Sequence, residues 1–149
     1  MVTWIKIEIK SRFCDKSVKT SAILNTGFGF AYPGSTPSAV LRIPKKLAEI
    51  LCLTEEVIKN SGTKEVYESA TEVATLDYIP RAVEVSVIAE NRASKTIICD
   101  VLIGESADTI LLNDKAISEL EIIILDPAKG LWMFRGEKTE RQSAEPEFW

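Results

Sequence analysis

Apolar and polar residues alternate from Thr3 to Lys10, with Ile5, Ile7 and Ile9 on one face and Lys6, Glu8 and Lys10 on the other. A period of two is the mark of a strand with one buried face. After the polar stretch Ser11 to Lys16, Val18 to Leu24 reads as a second strand running into the turn Asn25-Thr26-Gly27. Gly29 to Ser38 mixes Gly29, Gly34, Pro33 and Pro37 with small polar residues and predicts a surface loop. Order resumes at Val40 to Ile43. Pro44 then suits the first turn of a helix carrying Leu47, Ala48, Ile50 and Leu51, and Thr54 caps a second short helix through Glu55, Glu56 and Val57.

From Glu65 to Val87 the pattern is again that of strands, ending on Val83, Val85 and Val87 against Glu84 and Ser86. A long hairpin fits, with Pro80 confined to an edge or a bend. Thr96 to Ile103 is a near-continuous apolar strand, and Ile110 to Leu112 is the next one. Asn113 or Asp114 caps a helical turn with Ile117 and Leu120. Ile122 to Leu125 and Leu131 to Phe134 then form a closing hairpin around the turn Asp126 to Gly130. Residues 136–149 are charged and aperiodic, so a tail disordered from Gly136 to Pro146 is expected, with only Phe148 and Trp149 able to dock. Short strands with two or three short helices predict an all-β, barrel-like domain over residues 1–135.

Composition narrows the chemistry. At 149 residues and 46% hydrophobic content, one domain with a real core is expected. A net charge of −4 with mixed signs offers no basic stripe, so no nucleic-acid partner is expected. Apolar runs fall far short of the ~20 residues of a membrane helix, and the opening residues alternate rather than form a leader. The expectation is a cytoplasmic protein with no membrane partner. Cys14, Cys52 and Cys99 are widely spaced and odd in number, which favours buried free thiols over a metal site or a disulfide framework. Abundant Ile, Lys and Glu with a single glutamine, Gln142, lean toward a heat-adapted source. The chain has no histidine, which removes Ser-His-Asp and Cys-His nucleophiles and H-E-x-x-H zinc sites. Catalysis must rest on carboxylates, lysine, tyrosine or backbone.

The stretch Ala22-Ile23-Leu24-Asn25-Thr26-Gly27-Phe28 resembles the apolar-apolar-Asp-Thr-Gly loop of retroviral-type (retropepsin-like) aspartic proteases. Some 85 residues later, Ile110-Leu111-Leu112-Asn113 and the helix after it resemble the apolar-apolar-Gly plus helix that supports that loop. Between them, Leu41-Arg42-Ile43-Pro44 and its helix are similar to a segment of single-lobe microbial relatives. The order of elements agrees from about Thr3 to Phe134. By itself, Asn25-Thr26-Gly27 is an ordinary turn, and Asn113 an ordinary helix cap.

The resemblance implies a single-lobe acid-protease barrel that works as a homodimer on a peptide or protein substrate, with no cofactor and no metal. Its chemistry uses two carboxylates about 3 Å apart sharing one proton. One lobe supplies one loop, so the second comes from another copy across a two-fold axis. Thr26 would tie the loops together, and Gly27 would admit the peptide backbone. Phe28 and Gly29, with Ala70, Thr71 and Glu72 at the tip of the covering hairpin, would contact substrate. Phe28 and Phe30 suggest apolar preference. Two departures stand out. The hairpin tip lacks its usual glycine, and Asn25 occupies the aspartate position, where an amide keeps the shape but transfers no proton. Either an aspartate was changed to stop self-cleavage, which the isosteric swap in a serviceable loop favours, or the chain is an inactive relative that only binds. A non-catalytic peptide-binding or assembly module on the same fold is the rival reading, and an unrelated small β-barrel a third.

Overall fold

The alternation at the N-terminus produces β1 (Trp4–Ser11), whose Ile5, Ile7 and Ile9 are fully buried. It pairs antiparallel with β2 (Ser17–Leu24). The computed structural model describes residues 2–26, 38–68 and 73–149. Within them follow β3 (Val40–Pro44), α1 (Lys45–Ile50), α2 (Glu55–Ser61), β4 (Thr63–Glu68), β5 (Val73–Ala89) and β6 (Arg92–Ala93). The chain continues through β7 (Ile97–Gly104), β8 (Leu111–Leu112), α3 (Asp114–Glu119), β9 (Ile122–Asp126), β10 (Leu131–Phe134) and β11 (Arg141–Gln142).

Six strands close into a mixed barrel in the order β1-β2-β8-β3-β7-β5, with β5 returning to β1. Two of its pairings, β2 with β8 and β3 with β7, are parallel. β4 extends the sheet as a hairpin with β5, and β9, β10 and β11 form a separate three-strand sheet. The barrel is filled from all sides by residues such as Ile5, Ile7, Leu41, Ile43, Val83, Val85 and Val101. Each such side chain contributes about 1.5–3 kcal/mol on leaving water. Among the described residues, no helix is long and apolar enough to cross a membrane.

Local chemistry sets the boundaries. Thr54 caps α2 by accepting from the Val57 amide, and Glu55 and Glu56 in its first turn with Lys59 in its last suit the helix dipole. Pro80 falls inside β5, at a bend. The ladder with β7 shifts register between Ile79 and Val83, and Arg81 adopts a positive φ of 49°. The closing hairpin turns on Asp126, whose carboxylate accepts from the amides of Ala128 and Lys129, and on Gly130 at φ 69°.

Two expectations need correction. The cysteines are not all free: Cys14 and Cys52 form a disulfide with Cα atoms 6.2 Å apart, while Cys99 is buried and free. Their 38-residue separation hides the fact that the end of β1 meets the end of α1, where the Ser11 hydroxyl donates to the Leu51 carbonyl at 2.6 Å. Closing such a loop stabilises by about 4 kcal/mol on the chain-entropy account.

The second correction concerns residues 136–149, which are ordered along the barrel rather than loose. The Glu137 carboxylate accepts from the Phe134 amide at 3.0 Å and from Arg141 Nε at 2.8 Å, and the Arg141 guanidinium lies over the rings of Trp132 and Phe134. Ser143 and Ala144 pair with the backbone of Trp4. Glu147 accepts from Lys6 Nζ at 2.6 Å and from the hydroxyls of Thr20 and Ser21. Phe148 meets the Trp4 ring edge-on, and Trp149 donates to the Thr20 hydroxyl through its indole and to the Asp108 carbonyl through its amide. Individual anchors replace periodic burial, which is why no pattern announces this segment.

Candidate functional site

β8 is two residues long, yet it lies between β2 and β3 and touches both. Ile23 pairs with Leu111 and Leu24 with Leu112, in parallel. The Ile23 amide donates to the Ile110 carbonyl at 2.8 Å, and the Asn25 amide to the Leu112 carbonyl at 3.1 Å. The backbone at position 25 is thereby fixed to the strand beside it. Leu112 is fully buried and Leu24 nearly so, so this contact is anchored in the core.

Asn113 secures the other side. Its side-chain oxygen accepts from Ala116 N at 3.0 Å, capping α3, and from Val40 N at 2.9 Å. Its amide group donates to the Ser38 carbonyl at 2.9 Å. A buried amide satisfied on both ends holds one arrangement of β8, α3 and the start of β3. The cap role is the one its position suggests; the bonds to Ser38 and Val40 depend on a neighbour 73 or more residues away.

Strand registers place one row of residues across this face of the sheet. Ile23 pairs with Leu111, Leu111 with Arg42, Arg42 with Leu102, and Leu102 with Tyr78. Val40, Leu102 and Leu111 form an apolar cluster of their own, apart from the main core, against which Ile23, Leu76 and Tyr78 pack. Asn25 directly follows Leu24 at the end of β2, two residues on from Ile23 in this row. Polar groups brace the row. The Tyr78 hydroxyl donates to Asp100, which also accepts from the Arg81 amide at 2.8 Å. Arg42 donates to the carbonyl and hydroxyl of Thr109 at 2.9 and 3.0 Å. Burial, reinforced by the Asp100 carboxylate, pushes the Tyr78 phenol well above its usual range, so it stays protonated.

Of the residues singled out in the sequence, Asn25 is half-buried and Thr26 exposed. Gly27, Phe28, Gly29 and Phe30, and the hairpin-tip residues Ala70, Thr71 and Glu72, lie outside the described residues. The arms of that hairpin are described, and they pair from Thr63 with Tyr78 to Glu68 with Val73. Arg42, Tyr78 and Asp100 were not anticipated here. The available signal was Asp100, a carboxylate within the otherwise apolar run Ile97 to Ile103. As it stands, the face offers an apolar cluster, fixed backbone and hydrogen-bonding groups. The amide of Asn25 moves no proton near neutral pH. No protein-family model matches this chain, and no curated protein matches it.

Proposed function

We propose that this chain is the scaffold of a single-lobe aspartic endopeptidase of retroviral type, which binds an extended peptide between the β4–β5 hairpin and the face carrying Asn25. In the chain as written, Asn25 stands where a catalytic carboxylate would, so it binds without cutting. The observation that carries this reading is the slotting of Leu111–Leu112 in parallel beside Ile23–Leu24, with the Asn25 amide tied to Leu112. That arrangement holds one residue at a fixed place at the end of β2, as a dyad chemistry sensitive to small displacements requires. The apolar cluster around Val40 and Leu111 suits apolar side chains of a bound peptide, and the hairpin edge offers strand addition.

A single loop of this kind needs its twin, so the working form is a homodimer with the two Asn25 residues facing each other. The Cys14–Cys52 disulfide bears on location. It fits either an oxidising compartment or the interior of a heat-adapted cell, and a cytoplasmic placement stands with the second.

Asn25→Asp tests the proposal. General acid-base catalysis is worth about 10² to 10⁴ in rate, so the substituted protein should cleave members of a peptide library with an acidic optimum. A statine-type transition-state mimic should inhibit it. A folded, dimeric Asn25→Asp protein that cuts nothing between acidic and neutral pH would leave the peptide-binding module as the better account.

A further inference from the structure

On the opposite side of the hairpin's root, α1, α2, β5 and β7 enclose a cavity of about 220 Å³. Asp77 pairs with Ile103 there, one residue along from the Tyr78–Leu102 pair of the candidate site, so its side chains face the other way. The cavity is a separate place. Ala48, Leu53 and Ile103 are buried within it, and Ile58 lies half-buried alongside. Around this apolar floor stand four carboxylates, Glu49, Glu55, Asp77 and Glu105, against one lysine, Lys45. Lys45 reaches Glu105 at 3.5 Å and Glu55 at 3.9 Å, while Asp77 pairs with Lys64. Glu49 has no such ion pair among the described residues.

The walls are preformed. The Leu53 amide donates to the Ala48 carbonyl at 2.8 Å, fixing the turn after α1. At Gly62 a side chain would meet the Ile58 carbonyl at 2.7 Å and the Tyr78 carbonyl at 3.0 Å, so α2 ends hard against β5. A rigid apolar recess with a few charged groups of one sign at its mouth is how small-molecule sites are built. The floor selects hydrocarbon. The excess of carboxylates selects a cation and disfavours an anion.

We propose that this cavity binds a small amphipathic amine, an alkyl- or arylalkyl-ammonium ion. Its hydrocarbon rests on Ala48, Leu53, Ile58 and Ile103, and its ammonium sits among Glu49, Glu55 and Glu105. The site is independent of the peptide-binding reading, and its test uses the chain as written. Methyl resonances of Ile58 and Ile103 are followed by NMR while 2-phenylethylamine, 2-phenylethanol or 3-phenylpropanoate is added. The amine should give saturable shifts at both methyls and bind about two- to fivefold more tightly than the alcohol at low salt, the range expected for exposed charge pairs. The carboxylate should bind most weakly, and the difference between amine and alcohol should close in high salt. Replacing the exposed Glu49 and Glu105 by Gln leaves the floor intact and should remove the preference for the amine while the alcohol still binds. Ala48→Phe should abolish binding of all three. Absence of amine-induced shifts, equal affinities for the three probes, or an unchanged amine preference in the folded Glu49→Gln/Glu105→Gln protein would overturn the proposal.

Discussion

The barrel and the segment 136–149 are ordered by unlike forces, the first by buried area and the second by individual contacts. In the barrel, Ile7 pairs with Val87 and Ile9 with Val85 across β1 and β5, all buried. Many residues share the load, and another side chain of like volume would serve at most positions. In the C-terminal segment the contacts are single ones, such as Glu147 on Lys6, Thr20 and Ser21, Ala144 on Trp4 and Trp149 on Asp108. Phe148 remains 67% exposed even while touching Trp4. Buried area tolerates an exchange of like volume but not its loss, whereas each part-exposed contact contributes little by itself.

The sharpest break of this contrast is Ile7→Ala. Ile7 is fully buried and pairs with both Thr20 and Val87, so chemical denaturation should register a loss of about 2–5 kcal/mol. A loss below about 1 kcal/mol would mean that area is not what holds the barrel.

Removing residues 137–149 should cost less, about 2–3 kcal/mol from the lost charge-assisted bonds and ring contacts, read as a drop of about 4–12 °C in Tm. An unchanged midpoint would return the segment to a disordered tail.

The smallest effect is one of pH. Lys6, by hydrogen bond and charge, and then Thr20 and Ser21, hold the Glu147 carboxyl below its ordinary value of 4.5. A carboxylate with a lowered folded-state pKa stabilises above its unfolded value, and that contribution fades as pH falls through the folded one. Glu137, held at about 2 chiefly by Arg141 and then the Phe134 amide, behaves alike. The amides of Ala144 and Trp149 should therefore lose exchange protection as pH falls from about 4.5 toward 2. In Glu147→Gln this dependence should flatten, with a stability change under about 1 kcal/mol at neutral pH because the pair is part-exposed. Equal protection of these amides at pH 2 and pH 6 would show that the carboxylates are not the fastening.

The same contrast explains what the sequence disclosed. Alternation at Ile5, Ile7 and Ile9, the Thr54 and Asn113 caps, and the turn at Asp126 to Gly130 are local signals, and the elements stand where those signals fall. The slot of Leu111–Leu112 between β2 and β3 is not local, since two leucines carry no register of their own. The Cys14–Cys52 bond, the face shared by Arg42, Tyr78 and Asp100, and the docking of Glu147 likewise depend on partners far away in the chain. At the candidate site, Asn25 and its supporting leucines were readable from short motifs, but the polar groups around them were not.

The disulfide has a topological consequence. Its covalent ring runs from Cys14 through β2, Asn25 and β3 to Cys52, so the loop after Asn25 is a stretch of a closed circle rather than a free linear segment. A peptide bond cut anywhere between those cysteines would open the circle without releasing a fragment. The product would migrate as an uncut 16.5 kDa chain until a reducing agent separated its halves.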